Sequence, residues 1–143
     1  MLLPDLGGTL LTSRLNVVDL AGLTDPDIAK IRAKGDDGQL ADLVFEGRRP
    51  TFIHLQGYWA QGIANDPRLD RDYLLLVQDD PSSQDYVSSQ DYVRRDAVPA
   101  GADIEAVRSG AVERSAEISA MYAAAPGRDC GPLVPGQLSV TGN

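Results

Sequence analysis

The stretch "YLLLVQ", residues 73–78, constrains this fold most. Its six residues carry no charge and are flanked by Asp72 and Asp79. A run that short and that continuously apolar suits a strand covered on both faces. "LNVVDL" (15–20) and "PTFIHL" (50–55) are also strand-length and rich in β-branched or apolar residues. Two helical patterns separate the latter pair. "PDIAKIRAK" stops at Gly35, and "DDGQLADLVFEG" (36–47) puts Leu40, Leu43 and Val44 on one face, with Gly47 as a C-terminal stop. The order strand, helix, strand, turn, strand predicts an α/β fold. The expected architecture is a three-layer, mostly parallel sheet flanked by helices, Rossmann-like in part.

The stretch "NVVDLAGLTD" (16–25) poses a sharper question. A buried strand ends near Asp19, Gly22 breaks the chain, and Thr24-Asp25-Pro26 has the chemistry of a helix start. Thr24 or Asp25 can accept a free backbone N–H, Pro26 loses nothing in the first turn, and Thr24 with Asp27 has capping-box spacing. Asp19 therefore stands either at the edge of a working site or in a well-made turn. Asp5, in "PDLGG", has the same ambiguity. Both can point into one crevice at the strand ends, or accept N–H bonds from their own turns.

Further along, "SSQDYVSSQDYV" (82–93) duplicates a hexapeptide too short to be a solenoid unit, and reads as a lengthened hairpin or surface loop. "DYVRRDAV" (91–98), studded with charge, suits an edge strand. Residues 103–125 form the longest helical pattern, with Ile104, Val107, Ala111, Ile118 and Met121 on one stripe and Asp103 as its cap. Residues 1–125 read as one α/β domain, and 126–143, with Pro, Gly and Ser, as an irregular C-terminal tail.

The 143 residues are enough for one stable core. The net charge of −8 repels phosphate backbones and anionic lipid, so nucleic acid is not an expected partner. Cys130 is the only cysteine, which excludes an internal disulfide and a thiolate zinc site. No apolar run approaches the roughly 20 residues needed to span a bilayer. "MLLPDLGG" lacks the basic and apolar regions of a signal peptide.

Little points to catalysis. G-x-S-x-G is absent, and His54 is the only histidine. His54 is either a site residue near a strand end or a packed structural histidine. A small hydrolase or transferase would need it beside a carboxylate and an open cleft. Gly7 and Gly8 invite comparison with phosphate loops, but the Walker lysine and the Rossmann fingerprint are missing, and a tight turn explains them as well. No acidic cluster has EF-hand spacing. Neither a metal nor a cofactor is expected. Tyr58 and Trp59, close to His54 in "HLQGYW", can stack on a sugar ring, anchor a partner, or lie under a loop. The candidate ligand-binding residues are thus Asp5, Gly7, Gly8, Asp19, His54, Tyr58 and Trp59, with no catalytic residue among them. A free-standing small-molecule-binding α/β domain would gather them around a pocket at the carboxyl ends of the strands.

Asp5, Gly7 and Gly8, then Val17 to Asp25, then Arg49 to Phe52 occur in an order that carries a resemblance. It covers roughly the first half of the chain. The chain resembles the soluble extracytoplasmic C-terminal domains of bacterial polytopic membrane proteins of the protein mannosyltransferase and arabinosyltransferase type. "DLAGLTD" is its most specific element. The resemblance implies a non-catalytic accessory domain on the extracytoplasmic face of the membrane, tethered through parent segments and touching a glycan acceptor or a protein partner. A cytoplasmic location is the alternative for a free-standing domain. No catalytic residue carries over, because such enzymes keep their catalytic carboxylate in loops between membrane helices.

Overall fold

The computed structural model describes residues 1–4, 14–79 and 87–124. Asp5, Gly7 and Gly8, most of the first hexapeptide copy, Cys130 and the predicted tail lie outside the described residues.

Five strands form one sheet: β1 (Leu2–Leu3), β2 (Val18–Asp19), β3 (Phe52–Gly57), β4 (Tyr73–Gln78) and β5 (Val87–Arg94). Their order is β2-β1-β3-β5-β4. β1 pairs in parallel with β2 and β3, whereas β5 pairs antiparallel with β3 and β4. The fold is α/β, but the sheet is mixed. The helical crossover expected between the first two strand patterns is present, and two short helices stand where the sequence predicted a turn before β4. From β2 to β3 the chain passes through α1 (Pro26–Arg32) and α2 (Asp37–Asp42), and from β3 to β4 through α3 (Gln61–Ala64) and α4 (Pro67–Asp72). Since β3 and β4 both oppose β5, they run the same way. β5 breaks the expected parallel order, because it folds back from β4 and fills the gap beside β3.

The one edge expectation is reversed. "DYVR" lies in the interior strand β5, and the edge strand is β4, "YLLLVQ". Apolar continuity reports coverage of the two faces of a strand, not its place in the sheet. Ile53 and Leu55 face the main core, and β4 has α5 (Ile104–Ala124) packed along it. Arg108 on α5 donates its Nε–H to the Leu75 carbonyl, 3.0 Å away, satisfying one group on β4. The charges of β5 also have partners: Asp91 lies opposite His54, and Arg94 reaches the carbonyl of Arg49.

The core joins Leu2, Leu20, Ile28, Leu40, Val44, Ile53, Leu55, Ile63 and Leu69, drawn from the sheet and all four short helices. The stripe predicted on the long helix is only partly used. Val107, Ile118 and Met121 are exposed, since α5 meets the sheet chiefly along β4. No described helix is long and apolar enough to cross a membrane.

The helix from Asp37 does not stop at Gly47. It widens into a π-helix over Leu43–Arg48, and the left-handed residue that ends it is Arg49, at φ 43° and ψ 57°. Non-glycine residues pay a steric penalty there. The wider π turn carries the helix past the glycine and leaves the reversal to Arg49, just before Pro50 and β3.

Candidate functional site: an arginine-lined cleft

At Asp19 the predicted strand-end site is occupied by its own turn. Asp19 is 2% exposed. Its Oδ1 accepts the N–H groups of Ala21 (3.0 Å) and Gly22 (3.2 Å), and its Oδ2 accepts the N–H and the hydroxyl of Thr24 (2.6 and 3.1 Å). A buried carboxylate with both oxygens so engaged has a structural task. Thr24 therefore does not cap α1. Asp25 does, accepting from the N–H groups of Asp27 and Ile28, with Pro26 behind it. Gly22, at φ 80°, comes so close to α1 that a Cβ would lie 2.9 Å from the Ala29 nitrogen. "NVVDLAGLTD" is a well-made turn.

His54 sits on β3 directly opposite Asp91 of β5, with its Nδ1 2.8 Å from Asp91 Oδ1. The bond to Asp91 holds the imidazole pKa above its usual value against the opposing effect of burial. Among the described residues no serine or threonine hydroxyl is bonded to His54. Asp91 lines a cleft of about 370 Å³ under α5 with Phe52, Val77 and Ile118, but His54 does not. Among the described residues the pair thus has the base and the orienting acid of a hydrolase without a bonded nucleophile.

Tyr58 and Trp59 follow β3 in a 3₁₀ turn over Tyr58–Ala60, entered through Gly57 at φ 71°. Their rings lie 4.1 Å apart between centroids, tilted by 36°, and both are partly exposed. Arg32 stacks 5.0 Å from the Trp59 ring centre and donates to the carbonyls of Leu20 and Trp59, each at 2.6 Å. Among the described residues, Asp19, His54 and the aromatic pair are thus held by separate sets of partners. Among the described residues, no group of three or more His, Cys, Asp or Glu side chains could hold a metal.

A different site lies where the chain enters β3 and β4 and leaves β5. A cleft of about 520 Å³ is lined by Arg49, Arg71, Arg94 and Arg95, by Glu46, Asp72 and Asp96, and by the rings of Phe45 and Tyr73. Each arginine arrives differently. Arg49 is set by the left-handed turn after the π-helix, Arg71 stands in the last turn of α4, and Arg94 and Arg95 close β5. The floor is rigid. Tyr73 donates its hydroxyl to the Pro50 carbonyl at 2.8 Å, burial pushes its pKa up to about 12, and its ring meets Phe45 edge-on. Behind Phe45, Arg68 ties α2, the π-helix and α4 together through Asp42, Glu46 and Asp66.

Within the cleft Arg71 forms a two-bonded pair with Asp72, at 2.8 and 2.7 Å, which holds that carboxyl below the usual carboxylate range. Arg71 also offsets the negative end of the α4 dipole. Arg49 reaches Asp96 at 3.3 Å, and Arg94 is bonded to Asp96 and to the Arg49 carbonyl. Arg95 donates to the Asp70 carbonyl at 3.0 Å. Four guanidiniums against three carboxylates leave the cleft net positive in a chain of charge −8. Sequence reasoning passed over it because "RRP", "RD" and "RRD" are ordinary surface strings. Their one signal is that each borders a predicted strand, two of them at its start and one within the supposed edge strand.

Compared with known proteins, the chain matches no family model, no curated protein and no solved structure.

Proposed function

We propose that this chain is a non-catalytic binding domain whose arginine-lined cleft takes a small acidic ligand or an acidic group of a larger one. The observation that carries this reading is the convergence of Arg49, Arg71, Arg94 and Arg95, from three separate segments, on one concavity of an acidic protein. Guanidinium groups suit planar or multi-oxygen anions, because their fixed donors match such oxygens in pairs. The rare backbone geometry at the rim supports it as well: a π-helix running into a left-handed arginine is a strained arrangement of the kind that accumulates at functional positions.

The resemblance around "DLAGLTD" supplies the setting: an accessory domain outside the membrane, belonging to a glycosyltransferase-like parent, with the cleft facing a glycan acceptor or partner. The finer expectation of a Rossmann-like sheet has its support in the parallel part, β2-β1-β3. The His54–Asp91 pair lends less to a hydrolase reading, for want of a bonded nucleophile among the described residues.

Calorimetric titration with inorganic phosphate and with acetate tests the binding reading. The expected result is saturable binding on the order of millimolar affinity, as a few charge-assisted hydrogen bonds provide, that is lost when Arg94 and Arg71 are both changed to alanine. No saturable heat with either anion defeats it. For the setting, an antibody against this domain should find it in the membrane fraction of the native cells, within a polypeptide far longer than 143 residues. A free soluble product of this length would remove it.

A further inference from the structure

Within that cleft, we infer that Asp96 is the chain's own occupant of a carboxylate subsite, and that the ligand is an acid whose carboxylate takes its place. The inference rests on the anion-binding reading and narrows it to one chemical class.

Asp96 lies in the 3₁₀ turn Arg95–Ala97 that follows β5. One of its oxygens meets Arg94 Nε and the other meets Arg49 Nη2. Two guanidiniums from segments distant in sequence thus share the two oxygens of one planar group. Arg94 has a second anchor besides Asp96. Arg94 is only 23% exposed at its side chain and also donates to the Arg49 carbonyl. Arg49 is placed at the rim by its left-handed backbone, with its side chain 60% exposed. Asp96 itself is 56% exposed and stands on a short surface turn, so it can leave the pair for water. Exposed ion pairs are weak and easily exchanged.

Geometry selects the class. The two oxygens that Asp96 presents to Arg94 and Arg49 belong to one planar group, which a ligand carboxylate reproduces. The tetrahedral oxygens of a phosphate do not reproduce that planar pair, and a dianion is repelled more strongly by a protein of charge −8. The fitting ligand is therefore a small carboxylic acid, or a single carboxylate on a sugar acid or a peptide.

The test is an NMR titration of nitrogen-15-labelled protein with acetate and with inorganic phosphate, at neutral pH and constant ionic strength, following the Nε–H signals of Arg49 and Arg94. Asp96→Asn removes the internal carboxylate. Glu46→Gln removes a rim charge that is bonded to Arg68, not to a cleft arginine, and so measures net charge alone. Acetate should saturate the Arg94 signal and bind Asp96→Asn about threefold to fivefold tighter than wild type, the worth of one exposed pair, with a smaller gain in Glu46→Gln. Equal gains in both variants, no gain in Asp96→Asn, or tighter binding of phosphate than acetate to wild type would overturn the inference while the anion-binding reading stood. No saturation by either anion, in wild type or in Asp96→Asn, would overturn both. If the signal dispersion of Asp96→Asn shows it unfolded, Asp96→Ser takes its place under the same outcomes.

Discussion

Asp19 Oδ2 accepts two bonds from Thr24, one from its backbone N–H at 2.6 Å and one from its hydroxyl at 3.1 Å. That relationship fixes the β2–α1 turn and leaves Asp25 to cap the helix. Asp19→Ala strands the N–H groups of Ala21, Gly22 and Thr24 in a partly buried turn. We expect a loss of about 2–4 kcal/mol in urea unfolding, since each orphaned donor costs a kilocalorie or more unless water reaches it. Anion binding by the folded variant should not change. A stability within error of wild type would show that the turn holds without its carboxylate.

Gly22 and Gly35 separate crowding from backbone strain. Both have positive φ, 80° and 67°. A Cβ on Gly22 meets the α1 backbone at 2.9 Å, and one on Gly35 meets nothing within 4 Å. Gly35→Ala should cost about 1 kcal/mol from the left-handed conformation alone. Gly22→Ala should cost more, about 2–4 kcal/mol, because helix and turn must also move apart. Equal losses would mean the turn has room to open.

Arg49 offers the opposite contrast, between stability and binding. Arg49→Gly relieves the left-handed strain and loses only an exposed pair with Asp96, two terms of about 1 kcal/mol or less that oppose each other. The unfolding midpoint should hardly move while acetate binding weakens. A large loss of stability would instead make Arg49 a structural residue.

The His54–Asp91 pair should leave a mark on the pH profile. The folded pKa of His54 is raised above 6.5, with the hydrogen bond to Asp91 as the largest cause. The native state therefore binds the proton more tightly than the unfolded chain. Its stabilisation is complete below about pH 6.5 and is lost as pH rises through the raised native value. Wild type minus His54→Gln, measured by denaturation across that window, should fall with rising pH. A flat difference would show that the pair gains nothing from protonation.

Tyr73→Phe removes the donor to the buried Pro50 carbonyl beneath the cleft. A cost of about 1–2 kcal/mol is expected, the usual penalty for one unmatched buried polar group. Anion affinity should also weaken, because Pro50 holds the chain between Arg49 and β3. Unchanged affinity with reduced stability would confine Tyr73 to the core.

The sequence by itself determined the α/β class, four of the five strand positions, the helical crossover from β2 to β3 and the capped start of α1. Each follows from local chemistry: strand-length apolar runs, helical periodicity, and Asp-Pro before a helix. Only the tertiary structure decided that β5 turns back to separate β3 from β4, since neither strand carries a mark of its neighbour. Tertiary contacts also consumed Asp19 and His54, whose partners Thr24 and Asp91 are recognisable only once a turn or a strand pairing brings them near. The arginine cleft was invisible for the same reason. Its charges are dispersed along the chain as unremarkable surface residues, and their convergence depends on which ends of β3, β4 and β5 the folded sheet places together.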